Sequence, residues 1–131
     1  MNKLPPITYI PNFIALNLPN LTIPTVTELW NEIDWESRTE ARYECWMNDA
    51  DMDYTYGSGR GMRTYKAKKW LPLAKAIQTE LGFLVDSNIP NLEGCFINGY
   101  KDDRQNLGYH ADDSPEMDET RFIAVVSFGQ A

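Results

Sequence analysis

Residues 98–112 read Asn98-Gly-Tyr-Lys-Asp-Asp-Arg-Gln-Asn-Leu-Gly-Tyr-His110-Ala-Asp112, and they contain the only histidine of the chain. His110 and Asp112 are two positions apart, so on an extended backbone their side chains point to the same side. A neutral imidazole and a carboxylate on one side supply two adjacent ligands for iron or another transition metal. Solvated loops also produce a His-x-Asp pair by chance, so the pair alone leaves both interpretations open.

A strand pattern lies on each side of this stretch. Residues 93–100 alternate as a half-buried strand does, which divides their side chains between two faces. Phe96, Asn98 and Tyr100 share one face, and Cys95 and Ile97 share the other. A buried amide and a buried phenol on one face can hydrogen-bond a small oxyacid. Residues 121–129 are apolar on both faces, which predicts a central strand of a sandwich.

The size and composition of the chain indicate one globular domain. It has 131 residues, of which 43% are hydrophobic and 12% aromatic, enough for one core and too few for two. No apolar run approaches the roughly 20 residues that cross a bilayer, and the N-terminal residues lack the apolar segment of a secretory signal. Cys45 and Cys95 are too few for a disulfide framework, so we expect reduced, buried thiols in a cytoplasmic protein.

The charge distribution bears on nucleic-acid binding. A net charge of −7 argues against a protein that binds nucleic acid through bulk charge. Residues 60–69 nevertheless contain no acid and concentrate five basic residues: Arg60, Arg63, Lys66, Lys68 and Lys69. Such a patch can position a phosphate backbone, or it can be a solvated surface. The sequence leaves both interpretations open.

Two helices are predicted, and both are interpreted as structural support. Thr25 and Glu28 have the spacing of a capping box, and apolar residues continue at helical spacing to about Trp35. Residues 70–82 form the second helix, with Pro72 in its first turn and Gly82 just past its end.

Extended segments precede and follow the first helix. Residues 7–14 predict an edge strand, because Pro11 interrupts them, and residues 38–47 also suggest a strand. Three glycines within residues 57–61 then permit unusual backbone shapes. Without the lysine of a phosphate-binding loop, they indicate either a flexible lid with aromatic and basic side chains or a surface hairpin.

The order of these features resembles one enzyme family. A strand carrying Asn98 and Tyr100, a polar loop, the His110-x-Asp112 pair, an acidic loop and a strand ending in Ser-Phe-Gly129 together resemble the AlkB-like Fe(II)/2-oxoglutarate-dependent dioxygenases. Tyr-Ile-Pro-Asn-Phe at residues 9–13, followed by a helix ending in tryptophan, resembles the opening of the same domains. The resemblance runs from about residue 7 to the end of the chain.

This resemblance implies an α+β fold whose core is a double-stranded β-helix of the jelly-roll or cupin-like kind, with two supporting helices and an N-terminal lid. His110 and Asp112 would be two of the three iron ligands, and Asn98 and Tyr100 would bind the cosubstrate 2-oxoglutarate. The implied chemistry consumes molecular oxygen: one oxygen atom enters succinate as 2-oxoglutarate loses carbon dioxide, and the other hydroxylates a C–H bond. From an N-alkylated base, the hydroxylated carbon would leave as an aldehyde.

The resemblance also extends to substrate binding. Residues 38–69 look like the nucleotide-recognition lid of the family. Substrate-binding roles are thereby implied for Tyr54, Tyr56, Arg60, Arg63 and Asp113. Asp113 and Tyr109 flank the metal pair, where they would orient the site or contact the substrate.

The chain departs from the family pattern after residue 129. The pattern places a second histidine and then arginines for 2-oxoglutarate further downstream, whereas this chain ends at Ala131 and has no other histidine. We therefore expect a single, apparently truncated domain over residues 1–131, with a lid-like part at about 38–69. The first core strands and the metal motif would occupy residues 93–131, and the β-helix would be incomplete at its C-terminus.

The predicted function is oxidative dealkylation of alkylated nucleobases in DNA or RNA, a repair reaction that depends on Fe(II) and 2-oxoglutarate and is impaired here by the missing histidine. The alternative is a catalytically inactive remnant of the family that binds nucleic acid or another protein. The expected partners are alkylated DNA or RNA and a complementing chain or C-terminal fragment, and not a membrane.

Overall fold

The secondary structure is a mixture of helices and short strands. A computed structural model of the chain describes residues 8–57, 59–84, 92–106 and 123–129. Along these residues the elements are α1 (Phe13–Asn17), α2 (Val26–Glu32), β1 (Tyr43–Asn48), β2 (Tyr54–Tyr56), β3 (Arg63–Tyr65), β4 (Ala67–Lys68), α3 (Pro72–Leu84) and β5 (Gly94–Gly99). This mixture confirms the predicted α+β class.

Two small sheets organise these elements. The first has the strand order β4-β1-β5, in which β4 is parallel to β1 and β5 is antiparallel to it. The second is the hairpin of β2 and β3, joined through a 3₁₀ turn at Gly59–Gly61. The described strands do not close into a double-stranded β-helix, so the closed core stays a prediction.

Helix α2 begins where the sequence predicts. The Thr25 hydroxyl accepts a 3.1 Å hydrogen bond from the Glu28 amide, and the Thr25 amide donates to the Glu28 carboxylate at 3.3 Å. This is the predicted capping box, and such a cap stabilises a helix by about 1 kcal/mol. The helix ends at Glu32, earlier than predicted, because the Trp35 indole folds back and donates to the Trp30 carbonyl at 3.0 Å.

Helix α3 also forms, but it is longer than predicted. Pro72 is its first residue, as expected, whereas Gly82 lies inside it and the helix continues to Leu84. The prediction that Gly82 follows the helix end is therefore wrong. A glycine costs a helix only about 1 kcal/mol relative to alanine, and the buried Ile77 fixes the helix on the core. No helix among the described residues is both long and apolar enough to cross a membrane.

Two predicted strands do not form over the described residues. Residues 8–10 have no strand partner, and Asn12, with a left-handed φ of 54°, leads the chain into α1 instead. Residues 123–129 also belong to no strand, and Val125 is 83% exposed. The predicted central strand at 121–129 is wrong for this part, because an apolar segment becomes a strand only where a neighbouring edge pairs with its backbone, and no described strand does so.

The core lies between the first sheet and the helices. Cys45 and Met47 of β1 are buried together with Ile33, which follows α2. Partly buried residues complete this core: Leu29, Trp35, Trp70, Leu71, Ala74, Cys95 and Ile97. Gly99 permits the close approach of α2 to β5, because a Cβ there would come within 2.6 Å of the Trp35 ring and 2.8 Å of the Trp30 ring.

Candidate functional site

The face of the first sheet that points away from the core carries the polar and aromatic side chains of the candidate site. In the antiparallel register of β1 and β5, Glu44 lies opposite Asn98 and Trp46 lies opposite Phe96. Residues directly opposite one another point to the same side of a sheet. We call this side the Glu44–Asn98 face, defined by Glu44, Trp46, Phe96 and Asn98. The predicted division is confirmed for the residues of β5, since Cys95 and Ile97 lie in the core on the other side. Tyr100, which was predicted to share the face of Asn98, follows the end of β5.

The hairpin packs on this face through an aromatic cluster formed by Trp46, Tyr54, Tyr65 and Phe96. The ring centroids of Trp46 and Tyr54 are 5.0 Å apart, and those of Tyr65 and Phe96 are 5.0 Å apart in an edge-to-face arrangement. Each such pair contributes about 0.5–1.5 kcal/mol beyond the burial of its area. The cluster therefore fixes the hairpin, which belongs to the lid-like part of the sequence, on the candidate site.

A buried carboxylate lies beside the aromatic cluster. Glu44 is completely buried, and its Oε2 accepts hydrogen bonds from the Tyr65 hydroxyl at 2.8 Å and from Arg42 Nε at 3.1 Å. Burial, and then the hydrogen bond to Glu44, raise the pKa of Tyr65, while a hydrogen bond with Arg63 opposes that rise. The second oxygen, Glu44 Oε1, is buried without any hydrogen-bond partner among the described residues.

Two arginines lie against the rings of the cluster. The Arg42 guanidinium carbon is 5.4 Å from the Phe96 centroid, and that of Arg38 is 5.0 Å from the Tyr65 centroid. Both distances are within the range of a cation–π interaction. Each arginine is also paired with a carboxylate, Arg42 with Glu44 at 3.1 Å and Arg38 with Glu36 at 2.7 Å, so the positive charges beside these rings are locally balanced.

The basic residues of the window at 60–69 differ in their availability. Arg60 and Lys69 are exposed and have no ion-pair partner among the described residues. Arg63 is half-buried and holds Tyr65, and Lys68 pairs with Asp34 at 3.0 Å. Arg60 is therefore free to contact a ligand, whereas Arg63 is a structural contact of Tyr65 in this structure. The substrate-binding roles of both stay predictions.

The predicted cosubstrate residues are exposed. Asn98 lies on the Glu44–Asn98 face with an exposed side chain. Tyr100 follows the end of β5, is 45% exposed and lines a shallow pocket of about 280 Å³ with residues of α2. The expectation that this amide and phenol are buried is wrong over the described residues, because no described segment covers the end of β5. Their role in binding 2-oxoglutarate stays a prediction.

The remaining substrate-binding predictions concern the two tyrosines of β2. Tyr54 lies within the aromatic cluster, with its ring 6.0 Å from that of Phe96. Tyr56 pairs with Arg63 through the backbone of the hairpin, and its side chain lies outside the described part of the structure. Tyr54 is therefore the predicted aromatic residue that the structure places on the candidate site.

Comparison with known proteins identifies the family. The model of the 2OG-Fe(II) oxygenase superfamily matches residues 19–131. The chain belongs to the 2OG-Fe(II) oxygenase superfamily. No curated protein and no solved structure shows a significant match to it. Membership confirms the coarser part of the resemblance, a dioxygenase that depends on Fe(II) and 2-oxoglutarate.

The predicted metal ligands are not among the described residues. His110 and Asp112 lie outside them, as do Tyr109 and Asp113. Within the described ranges, no group of three or more His, Cys, Asp or Glu side chains could hold a metal ion. Imidazole and carboxylate are suitable ligand types for Fe(II), so the His110–Asp112 pair stays the predicted iron site of this superfamily member.

The hydrogen bonds that Glu44 accepts from Tyr65 and Arg42 are not predicted by the sequence analysis. The signal was present, since Glu44 interrupts the apolar and aromatic residues of β1 and a charge within such a strand must be paired. The partner Tyr65 lies 21 positions away, however, and no local pattern indicates which residue supplies that hydroxyl. The hydrogen bonding of Glu44 is therefore visible only in the structure.

Proposed function

We propose that this oxygenase is AlkB-like and catalyses oxidative dealkylation of N-alkylated bases in DNA or RNA, a repair reaction. The observation that carries the proposal is the placement of the aromatic cluster beside Asn98. Trp46 and Phe96 share a sheet face with Asn98, and the hairpin that covers them presents Arg60 to solvent. Enzymes that modify a base must unstack it and hold it against aromatic or apolar surfaces.

In this proposal the core is the double-stranded β-helix of the family, and each predicted residue has one role. His110 and Asp112 hold Fe(II), while Asn98 and Tyr100 orient 2-oxoglutarate through the amide and the phenol. When bound, the metal and cosubstrate would supply, together with molecular oxygen, the oxidising chemistry that hydroxylates the alkyl carbon. The protein positions the base, with Asp113 beside the metal pair and with Tyr54 and Tyr56 on the hairpin, and it excludes water from the reacting carbon.

Charge restricts how the nucleic acid binds. The chain has a net charge of −7, so attraction must come from a local group of cations rather than from the whole surface. Arg60 and Lys69 are exposed at either end of the basic window and are free of ion pairs within the described residues. They are the phosphate contacts that the structure favours, and Arg63 contributes through the hairpin that it holds.

The test is direct binding to a lesion. A labelled single-stranded oligonucleotide carrying one 1-methyladenine is titrated with the protein and followed by fluorescence anisotropy, alongside the same strand with adenine. We expect tighter binding of the methylated strand. Arg60→Gln and Lys69→Gln should each reduce the salt dependence of log K by roughly 0.7 for each phosphate that the substituted side chain no longer neutralises.

Lys75→Gln is the charge control, because it removes one positive charge from α3, where Lys75 is paired with Asp49 at 2.7 Å rather than free to contact a phosphate. It should leave both the affinity and the salt dependence unchanged. Equal affinity for the methylated and unmethylated strands would refute lesion recognition. Absence of binding to either strand at low salt would refute a nucleic-acid substrate altogether.

A further inference from the structure

We infer that Cys45, Met47 and Cys95 form a binding site for one Cu(I) ion, held by two thiolates and one thioether on the core side of the first sheet. We call these three residues the sulfur cluster. The cluster lies on the other side of the sheet from the Glu44–Asn98 face, and the inference does not depend on the substrate of the enzyme.

The first observation is the strand register that brings the three side chains together. Met47 lies directly opposite Cys95 in the antiparallel pair of β1 and β5, and Cys45 lies opposite Ile97. Cys45 and Met47 are two positions apart on β1, so both point to one side of the sheet, the side on which Cys95 packs in the core. The two cysteines are therefore diagonal neighbours, and Met47 adjoins both of them.

The spacing of the two thiols suits a metal ion better than a disulfide. Diagonal neighbours across an antiparallel pair are roughly 7–8 Å apart, with somewhat closer Cβ atoms, whereas a disulfide needs about 3.8 Å between Cβ atoms. Both cysteines are free thiols. Two metal–sulfur bonds of roughly 2.3 Å each allow up to about 4.6 Å between the sulfur atoms, compared with about 2 Å in a disulfide. A metal ion therefore bridges this diagonal more easily.

The ligand types select the ion. Thiolate and thioether sulfur are soft ligands, which favour Cu(I). A structural zinc site takes four ligands, and within the described ranges no group of three or more His, Cys, Asp or Glu side chains could hold a metal ion. Cu(I) accepts fewer ligands than zinc does, so the three sulfur atoms of the cluster suffice.

Lys68 provides a charge partner for the site. Two thiolates and one Cu(I) ion carry a net negative charge, which is costly to bury without a partner. Lys68 lies opposite Met47 in the parallel pair of β1 and β4. Burial raises the pKa of Cys45 to about 11, and the charge of Lys68 is the strongest effect that opposes this rise. Asp34 and Glu36 hold the ammonium in place and share its charge, so we expect its contribution to be moderate.

The cluster is fixed in position and can be reached from one side. Met47 is completely buried, and its sulfur accepts a 3.4 Å hydrogen bond from the Leu71 amide, which leaves a second lone pair for a metal. Cys95 is only half-buried, on an outer strand of the described sheet, so an ion would enter there. Binding breaks the two S–H bonds, forms two sulfur–copper bonds and releases both protons to the buffer.

The experiment is an anaerobic titration of the full chain with Cu(I), supplied as its acetonitrile complex, in competition with the coloured chelator bicinchoninate. We expect one Cu(I) per chain, with copper–thiolate absorption in the ultraviolet. Cys45→Ala and Cys95→Ala should each weaken binding by more than the roughly 10- to 100-fold that loss of an outer partner of a metal site costs. Lys68→Gln, which removes such an outer partner, should weaken it by about tenfold.

Two methionine variants provide a matched comparison. Met47→Leu nearly conserves the volume of the side chain and removes only the thioether, so it should weaken Cu(I) binding while the protein stays folded. Met52→Leu makes the same change at a methionine that is 64% exposed, and it should retain the full affinity. His110→Ala should also retain it, because the imidazole belongs to the predicted iron pair and not to the sulfur cluster.

Three results would overturn the inference. A chain that takes no Cu(I) from bicinchoninate has no such site, and the cysteines are then packing residues only. Unchanged affinity in Cys45→Ala or Cys95→Ala would show adventitious binding elsewhere. Loss of Cu(I) binding in His110→Ala would assign the copper to the histidine. Should Cys45→Ala not fold, Cys95→Ala and Met47→Leu still decide the matter, since Cys95 is partly exposed and Met47→Leu conserves the packing.

Discussion

The Tyr65 hydroxyl donates a 2.8 Å hydrogen bond to Glu44 Oε2, and the two side chains are 2% and 0% exposed. Tyr65 belongs to the hairpin and Glu44 to the central strand of the first sheet. This one contact therefore joins the hairpin to the sheet that carries Asn98. It places a polar link inside an otherwise aromatic interface.

Removal of that link should cost stability. Tyr65→Phe keeps the ring contact with Phe96 but leaves Glu44 Oε2 with Arg42 as its only donor. The free energy of unfolding, measured by urea denaturation, should fall by about 1–3 kcal/mol, the cost of depriving a buried group of its partner. Tyr9→Phe is the control, because Tyr9 is 83% exposed. A Tyr65→Phe protein as stable as this control would show that the hydroxyl contributes nothing.

Gly99 should not tolerate a side chain. In Gly99→Ala the new Cβ would lie within 2.6 Å of the Trp35 ring and within 2.8 Å of the Trp30 ring of α2, so both rings must shift, at a cost of about 1–3 kcal/mol. Tryptophan fluorescence should change together with the stability, since Trp30 and Trp35 are the rings displaced. Gly59→Ala is the control, because a Cβ at Gly59 would meet no atom within 4 Å, although the residue has a left-handed φ of 58°. This variant should leave the fluorescence unchanged. Unaltered fluorescence in Gly99→Ala would contradict the packing described.

The elements that the sequence predicted well are those whose signals are local. The alternation of Cys95 and Ile97 with Phe96 and Asn98 follows from a period of two, and β5 shows that division. The capping box at Thr25 needs only residues three apart, and α2 begins there. In both cases the physical determinant lies within a few residues of the element.

The features that the sequence did not predict depend on distant partners. Residues 123–129 have a strong strand composition, yet no described strand pairs with them. The contact between Tyr65 and Glu44 spans 21 positions, and the exposure of Tyr100 depends on what covers the end of β5. Propensity describes each segment by itself, whereas these features depend on tertiary neighbours. His110 and Asp112, the centre of the predicted metal site, lie outside the described residues.

The two thiols should be unreactive in the folded protein. Burial raises the pKa of the Cys45 and Cys95 thiols to about 11, so almost no thiolate is present at pH 8. Iodoacetamide should label neither cysteine in buffer and both in concentrated urea. Labelling of either cysteine at a solvent-exposed rate without urea would contradict its placement between the sheet and the helices.

The raised pKa values of the two thiols also predict how the stability of the protein changes at alkaline pH. Below the ordinary thiol pKa of about 8.5, both states hold their protons and pH has no effect through these groups. Above it the unfolded chain loses protons first, so the free energy of unfolding should fall as the pH rises towards about 11. Cys95→Ala should reduce this fall when urea midpoints at pH 8 and pH 10 are compared. A stability that increases over that interval would contradict the burial of the thiols.

Asp49 should contribute to stability at neutral pH and lose that contribution in acid. Its carboxylate accepts hydrogen bonds from Lys75 at 2.7 Å and from Gln78 at 2.9 Å, and the Lys75 bond is the main cause of its lowered pKa. The contribution is complete above the unfolded pKa of about 3.9 and disappears as the pH falls through the lower value of the folded state. Because Asp49 is partly exposed, we expect Asp49→Asn to cost no more than about 1 kcal/mol at pH 7.

The control for Asp49 is Asp51→Asn, since Asp51 is exposed and has a left-handed φ of 54°, which asparagine accepts readily. Urea midpoints of both variants at pH 7 and pH 3 provide the comparison. The difference between Asp49→Asn and the unaltered protein should be present at pH 7 and small at pH 3. A difference that is larger at pH 3 than at pH 7 would contradict the lowered pKa of Asp49.

We predict that the stretch from Asn98 to Asp112 forms an Fe(II) and 2-oxoglutarate site. The most direct measurement is an anaerobic titration of the protein with Fe(II) and 2-oxoglutarate, followed through the charge-transfer absorption band of the metal-bound keto acid. We predict that the band appears with the unaltered protein, is abolished in His110→Ala and is nearly abolished in Asp112→Ala. Absence of the band at high metal concentration, or a band of full intensity in His110→Ala, would contradict the claim.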